Sequence, residues 1–423
     1  MGCPPCRHGV AIRSERCFWG PRSPGLPRLR YISRRILAAG LLAVASAACP
    51  NWLWGQDAIS FGFVCAATGR GPDETRCARY AVEDQVAEIN AQGGICGRKI
   101  NLAVYDPEDD AEGVIPGAAR LIDEDHVVGI ITPEGSGSGL RVEPIADLHA
   151  VPVVATAPTY FQFARDEEGR VVDGQVNPYL FRVGVAGPYQ PRVAADYAVQ
   201  DLGKCRAAFI YDQSDHACTG YVAACWNEFI ELGGVVAARE YYTYGEREFR
   251  YKLRRIAKSS PDCLFIAAAS GLDAARIAKQ ASQLGLKIQF LGNETWAVDD
   301  VLALAGQELE GSCLTTGVFS GDLEVADFNA NFILSHGMTC QPAAYYALDA
   351  IMALEYAAQA SLERTGRVDG TTMKNALERM QEVPVFTGTL TMDPETHVPI
   401  ARPVVVQAIW DGGWQEAKTF HPE

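Results

Sequence analysis

The sequence predicts an α/β protein made of two doubly wound parallel-sheet lobes. Three observations carry this prediction. Helix-like and strand-like stretches alternate along most of the 423 residues, the strand-like runs are almost continuously apolar, and the alternation restarts after Phe181-Arg182. Runs of Val, Ile and Leu without polar alternation suit strands that helices cover on both faces.

The clearest step is Ala81 to Asp110. Val82, Val86 and Ile89 recur at helical spacing among acids and amides, and Gly93-Gly94 supplies the left-handed residues that end a helix. Leu102 and Val104 then alternate with Asn101 and Ala103 up to the acidic turn Asp106 to Asp110, which closes a short strand. Further strands are expected at Ile59 to Val64, Val127 to Thr132 and Val151 to Ala155. The second lobe reads as helix Pro191 to Leu202, strand Ala207 to Tyr211, helix Tyr221 to Leu232, strand Val235 to Tyr241 and helix Glu246 to Ser259. Strand Cys263 to Ala268, helix Asp273 to Leu284, strand Ile288 to Leu291 and strand Ser312 to Gly317 follow. Helices at Glu324 to His336, Ala343 to Leu362 and Thr371 to Gln381 come late enough to suggest a return to the first lobe. Val404 to Trp410 with the turn Asp411-Gly412-Gly413 reads as an antiparallel hairpin.

Residues 1 to 56 are an expected export leader. They hold eight Arg against the one acid Glu15, a net charge of +7. Ser33-Arg34-Arg35 precedes the apolar run Ile36 to Ala48, which rises about 20 Å as a helix, too short for a hydrocarbon core of roughly 30 Å. The paired Arg leaves the twin-arginine route open. Cys49 lacks the Leu that usually stands three residues before a lipid-attachment cysteine, so a lipid anchor is the minor alternative. An extracytoplasmic or periplasmic location follows.

The formal charge of −15 therefore becomes −22 beyond the leader. No basic run stands out there, which argues against nucleic-acid binding. Nine cysteines remain, an odd number, with no Cys-x-x-Cys pair, and the histidines are scattered; no metal or other cofactor is expected. The chain carries no nucleophile elbow, zinc helix motif or paired acids with a matching base, so an enzyme is not expected.

Pro133-Glu134-Gly135-Ser136-Gly137-Ser138-Gly139 follows a strand and leads into a helix, where free amides and the helix dipole favour an anion. A dinucleotide loop would need Gly where Leu140 stands. Taken alone, the loop reads first as an ordinary helix cap by Ser136 or Ser138.

The ordered set Ala81 to Asp110, Phe181-Arg182-Val183, Ala207 to Asp212, Leu284-Gly285-Leu286-Lys287, Leu291-Gly292-Asn293-Glu294, Leu304-Ala305-Gly306 with Glu310-Gly311, and Val404 to Gly412 resembles the extracytoplasmic solute-binding proteins of branched-chain amino-acid ABC transporters, the Leu/Ile/Val type. The resemblance implies a type I periplasmic-binding fold whose lobes are joined by a three-crossing hinge. Residues 57–183 with 315–386 would form the N-terminal lobe, and 184–314 with 387–423 the C-terminal one. It implies ligand contacts at Ser136 and Thr159 for an α-carboxylate, with Ser138 and Ala157 in the same loops, and at Glu294 for an α-ammonium. Departures are His216 and Ser270, where relatives carry aromatics, and Glu74, which matches the spacing of a first-lobe aromatic. The family's first-lobe disulfide positions fall near Glu108 to Asp110 and at Gly135, so any bridge uses other pairs. The implied function is capture of a small amino acid or related metabolite and its delivery, by a monomer, to ABC permease subunits. A ligand sensor of the same fold, or a binder of an aromatic acid or amide lacking an ammonium, are the alternatives.

Overall fold

The computed structural model describes residues 58–64, 72–106, 113–133, 136–156, 163–165, 171–185, 188–319, 321–340 and 342–422. The expected leader, Cys49, Ala157 and Thr159 lie outside them. No described helix is long and apolar enough to cross a membrane.

The chain opens with β1 (Ile59–Val64), α1 (Pro72–Ala91), β2 (Ile100–Tyr105), α2 (Val114–Asp123), β3 (Ile130–Thr132), α3 (Ser136–Leu148) and β4 (Val153–Ala155). A short antiparallel pair, β5 (Phe163–Arg165) and β6 (Val171–Val176), precedes β7 (Leu180–Arg182). The next stretch holds α4 (Tyr189–Asp196), β8 (Arg206–Asp212), α5 (His216–Glu231), β9 (Val235–Tyr242), α6 (Arg250–Lys258) and β10 (Cys263–Ala267). It goes on through α7 (Gly271–Gln283), β11 (Gln289–Gly292), α8 (Asp299–Ala305) and β12 (Cys313–Thr316). The chain closes with α9 (Leu323–His336), α10 (Pro342–Thr365), α11 (Gly370–Leu377), β13 (Val383–Val385), β14 (Gly388–Leu390), β15 (Val404–Trp410) and β16 (Gly413–Phe420).

Two doubly wound sheets result. The first is parallel throughout, in the order β2-β1-β3-β4-β7; the second runs β16-β15-β12-β11-β10-β8-β9, with the β12–β15 and β15–β16 pairs antiparallel and the others parallel. Alternation along β1 shows why both faces are apolar. Ile59, Phe61 and Phe63 enter the core shared with α1 and α10, while Val64 enters the one formed with α2 and α3. Along β8, Ala207, Phe209 and Tyr211 face α4 and α5, and Ala208 and Ile210 face α6 and α7.

The turn after α1 follows the sequence reading closely. Gly93 and Gly94 have φ of +114° and +73°, the Gly94 amide bonds the Ile89 carbonyl at 2.9 Å, and a Cβ on Gly94 would stand 2.1 Å from the Arg98 carbonyl oxygen. Asn90, in the last turn of α1, also bonds both backbone groups of Ile100 and so fixes the start of β2.

Two expected helices differ. The helix predicted over Pro191 to Leu202 is α-helical only to Asp196 and ends as a π turn over Tyr197–Asp201. The one predicted from Glu246 begins at Arg250, because the Gln280 side chain holds the Phe249 amide and the Arg247 carbonyl. Cys96 is disulfide-bonded, whereas Cys218, Cys225, Cys263 and Cys313 are free, buried thiols.

The chain passes between the cores three times. β7 leads to α4 in the second core, β12 leads to α9, whose Val325 and Phe332 join the first core, and Leu390 and Met392 of the first core precede β15 in the second sheet. The first core thus extends beyond residue 386. Polar contacts anchor the last passage. His397 stacks on Phe181 at 4.1 Å, its carbonyl accepts from the Arg182 amide, and Nε2 lies 3.1 Å from Glu378. Arg402 forms a 2.9 Å ion pair with Asp349 of α10, and both bond Thr387.

Candidate functional site

Parallel strands of an open α/β sheet present their carboxyl ends to ligands. At that end of β11, a Cβ on Gly292 would meet the Trp296 ring at 2.2 Å, so only Gly lets the chain turn into the short 3-10 turn Glu294–Trp296. Asn293 bonds the Ala268 amide at 3.2 Å and its carbonyl at 3.0 Å, and the Thr295 hydroxyl donates to the same carbonyl at 2.8 Å. Both neighbours of Glu294 are therefore clamped to the end of β10.

The Glu294 carboxylate accepts a hydrogen bond from Tyr346 Oη at 3.1 Å. Tyr346 belongs to α10, which packs on the first sheet, so the contact joins the two lobes. The Gln190 side chain also reaches Glu294, while its amide nitrogen donates to the Thr315 carbonyl at 2.6 Å. Tyr221 Oη bonds the Gly292 carbonyl at 3.1 Å and Thr315 at 2.9 Å, which fixes the floor. No Lys, Arg or His among the described residues pairs with Glu294.

Burial pushes the Glu294 carboxyl up to about 7, against the hydrogen bonds from Tyr346 and Gln190 that favour its ionised form. Its ordinary value is 4.5, so the stability it contributes is fully present below that pH and is lost as pH rises through about 7. Glu294→Gln should accordingly flatten the decline in melting temperature of the ligand-free protein between pH 4.5 and about 7. An equally steep decline in the variant would show that Glu294 does not titrate there.

The other expected residues fall as follows. His216 is the first residue of α5, after β8; it is exposed, and its carbonyl accepts from the Thr219 hydroxyl at 2.9 Å. Ser270 precedes α7, after β10, and its hydroxyl makes no capping bond. Ser136 and Ser138 stand in the first turn of α3, after β3, and Glu74 in the first turn of α1, after β1. Thr156 ties the ends of β3 and β4 together, its hydroxyl donating to the Pro133 carbonyl at 3.0 Å and its amide to Thr132 at 3.2 Å. Each of these candidates thus follows the carboxyl end of its strand, and Glu294 meets a side chain from the other lobe, Tyr346.

A cavity of about 400 Å³ lies elsewhere, between Arg76 and Tyr80 of α1, Val298 and Asp300 at the start of α8, and His336. None of the expected site residues lines it. Sequence reasoning missed Tyr346 and Gln190, because both sit in helical stretches where a tyrosine or glutamine carries no mark of a contact so distant in the chain.

Comparison with known proteins gives a consistent picture. A family model described as periplasmic binding protein matches residues 58–413. An amino acid binding protein of Pseudomonas aeruginosa is 26% identical over 259 residues, 58% of this chain and 63% of that protein; the chain thus spans less than two thirds of its length. The crystal structure of the leucine binding protein LivK of Thermotoga maritima superposes with a TM-score of 0.71 at 22% identity, over 86% of this chain and 99% of that one. A solute binding protein of an ABC transporter from Rhodopseudomonas palustris, in complex with 3,4-dihydroxy benzoic acid, gives 0.73 at 19% identity, over 86% and 98%.

Proposed function

The chain belongs to the periplasmic binding protein family, and from that premise we propose that it captures a small amino acid or related metabolite between its lobes and presents it to an ABC permease. Members of this family bind solutes and are not enzymes. The observation that carries the proposal is Glu294, a partly buried carboxyl clamped at a strand end and paired with no Lys, Arg or His among the described residues. An α-ammonium entering the cleft leaves water, which costs several kcal/mol unless a carboxylate and hydrogen bonds replace it.

Ser136 and Thr159 complete the reading as holders of the α-carboxylate, with Ser138 and Ala157 beside them. His216, Ser270 and Glu74 would face the side chain of the ligand. Those three are more polar than the aromatics they replace, which favours a polar or cationic side chain over Leu, Ile or Val. The export leader, the periplasmic location and the monomeric state belong to the same reading.

A second reading is favoured by the Rhodopseudomonas neighbour, whose ligand has a carboxylate and no ammonium. A protonated Glu294 bonded to Tyr346 and Gln190 is itself compatible with an uncharged cleft. Thermal-shift screening of amino acids, amides and aromatic acids separates the two, since a ligand that binds the native state raises the melting temperature. Ser136→Ala and Thr159→Ala are each expected to weaken any carboxylate ligand found by about 1–3 kcal/mol, because a charged acceptor loses a donor. Unchanged affinities in both would place the carboxylate elsewhere.

A further inference from the structure

Six basic residues stand between Arg247 and Lys258 against the single acid Glu248, in a chain whose formal charge is −15. In the linear sequence they alternate with Phe249, Tyr251, Leu253 and Ile256, so no basic run stood out beyond the leader. The helix corrects that reading. By burying Phe249, Leu253 and Ile256 completely, α6 turns the basic residues outward together.

Not all of them are available. Arg250 pairs with Glu248, Lys252 with Glu246, and Arg255 with Glu240. Arg254 and Lys258, one helical turn apart and both exposed, have no ion-pair or hydrogen-bond partner among the described residues. Tyr251 extends the same stripe; it is 69% exposed, and the Arg255 guanidinium lies 5.8 Å from its ring. The segment before α6 reaches the rim that carries His216, since the Tyr244 amide bonds Ser214 just beyond β8. The exposed rings of Tyr241 and Tyr244 extend the surface there.

We propose that the Tyr251, Arg254 and Lys258 face of α6 docks on an acidic protein surface of the membrane permease. This rests on the delivery role given above. Charge complementarity selects an anionic partner, and the composition selects protein. Arg and Tyr are enriched at protein interfaces, where a guanidinium pairs carboxylates through two parallel hydrogen bonds. Two unpaired cations on the helix, with Arg247 before it, are few to hold so acidic a chain against an anionic bilayer.

The test uses the whole chain with Arg254→Glu and Lys258→Glu combined. Binding is measured to the permease in phosphatidylcholine nanodiscs and, separately, to protein-free phosphatidylglycerol vesicles. The charge reversal should weaken permease binding at least about tenfold, raised salt should weaken the native protein likewise, and the melting temperature should not move. Exchanging the two cations, Arg254→Lys with Lys258→Arg, should keep most of the binding. Binding to the permease that ignores the reversal overturns the docking face alone. Equal binding of the native protein to the bare vesicles makes the partner lipid and also overturns it. A native protein that fails to bind the permease at all removes the delivery role as well.

Discussion

Glu294→Ala should weaken binding of an amino-acid ligand by roughly 2–5 kcal/mol, the range for removing one partner of a buried charge pair. Burial raises the carboxyl to about 7 against the hydrogen bonds from Tyr346 and Gln190, and no Lys, Arg or His among the described residues pairs with it, so in the empty protein it is about half protonated near pH 7. A ligand ammonium favours the ionised form and lowers this value, so binding near neutrality releases a proton. Affinity should therefore rise with pH through about 7, until the ligand's own ammonium begins to titrate. Titration calorimetry in two buffers of different ionisation heat measures both quantities. Glu294→Ala should abolish the proton release together with most of the affinity. An aromatic-acid ligand gives the opposite pattern, because ionising Glu294 beside its carboxylate is unfavourable and affinity falls as pH rises. A pH-independent affinity with an unchanged Glu294→Ala constant would remove Glu294 from the site altogether.

Most of this scaffold was legible because its determinants are local. Gly94 must be glycine where φ is +73°, and Ile59, Phe61 and Phe63 must be apolar where helices cover both faces of β1. The loop Asn293 to Thr295 was legible as a place through the family resemblance, not as a mechanism. That Asn293 and Thr295 both grip Ala268, and so aim Glu294, depends on β10 and β11 being neighbours in the sheet. Tyr346 and Gln190 were invisible for the same reason in stronger form. Each lies in a helix packed in a different core from the other, and their meeting at Glu294 exists only once the chain has crossed between the lobes. The hairpins β5–β6 and β13–β14 were missed because β5, β13 and β14, of three residues each, offer too little periodicity, and Pro384 within β13 argues against a strand.

The largest loss of stability should come from Asp349→Ala, on the order of 3–5 kcal/mol, because it strands the Arg402 guanidinium as a buried, unpaired charge. Asp349 is fully buried and Arg402 is 6% exposed. Burial raises the Asp349 carboxyl above its usual range even though Arg402 and Thr387 oppose the shift, a sign of how little water reaches the pair. The same substitution removes the acceptor for the Thr387 amide and hydroxyl, which hold the chain just before its last passage between lobes. Asp349→Ala combined with Arg402→Met removes both charges and should recover a large part of the loss, since an apolar replacement of a buried pair is often neutral. Denaturant midpoints of the native, single and double variants supply the comparison; a double variant no more stable than the single one would place the effect in the Thr387 bonds instead. Tyr346 stands one helical turn before Asp349 on α10, so the same anchor positions the hydroxyl that meets Glu294. Ligand affinity should thus fall in the single variant and return with stability in the double one, whereas a loss of affinity that persists after stability recovers would tie Arg402 to the ligand itself.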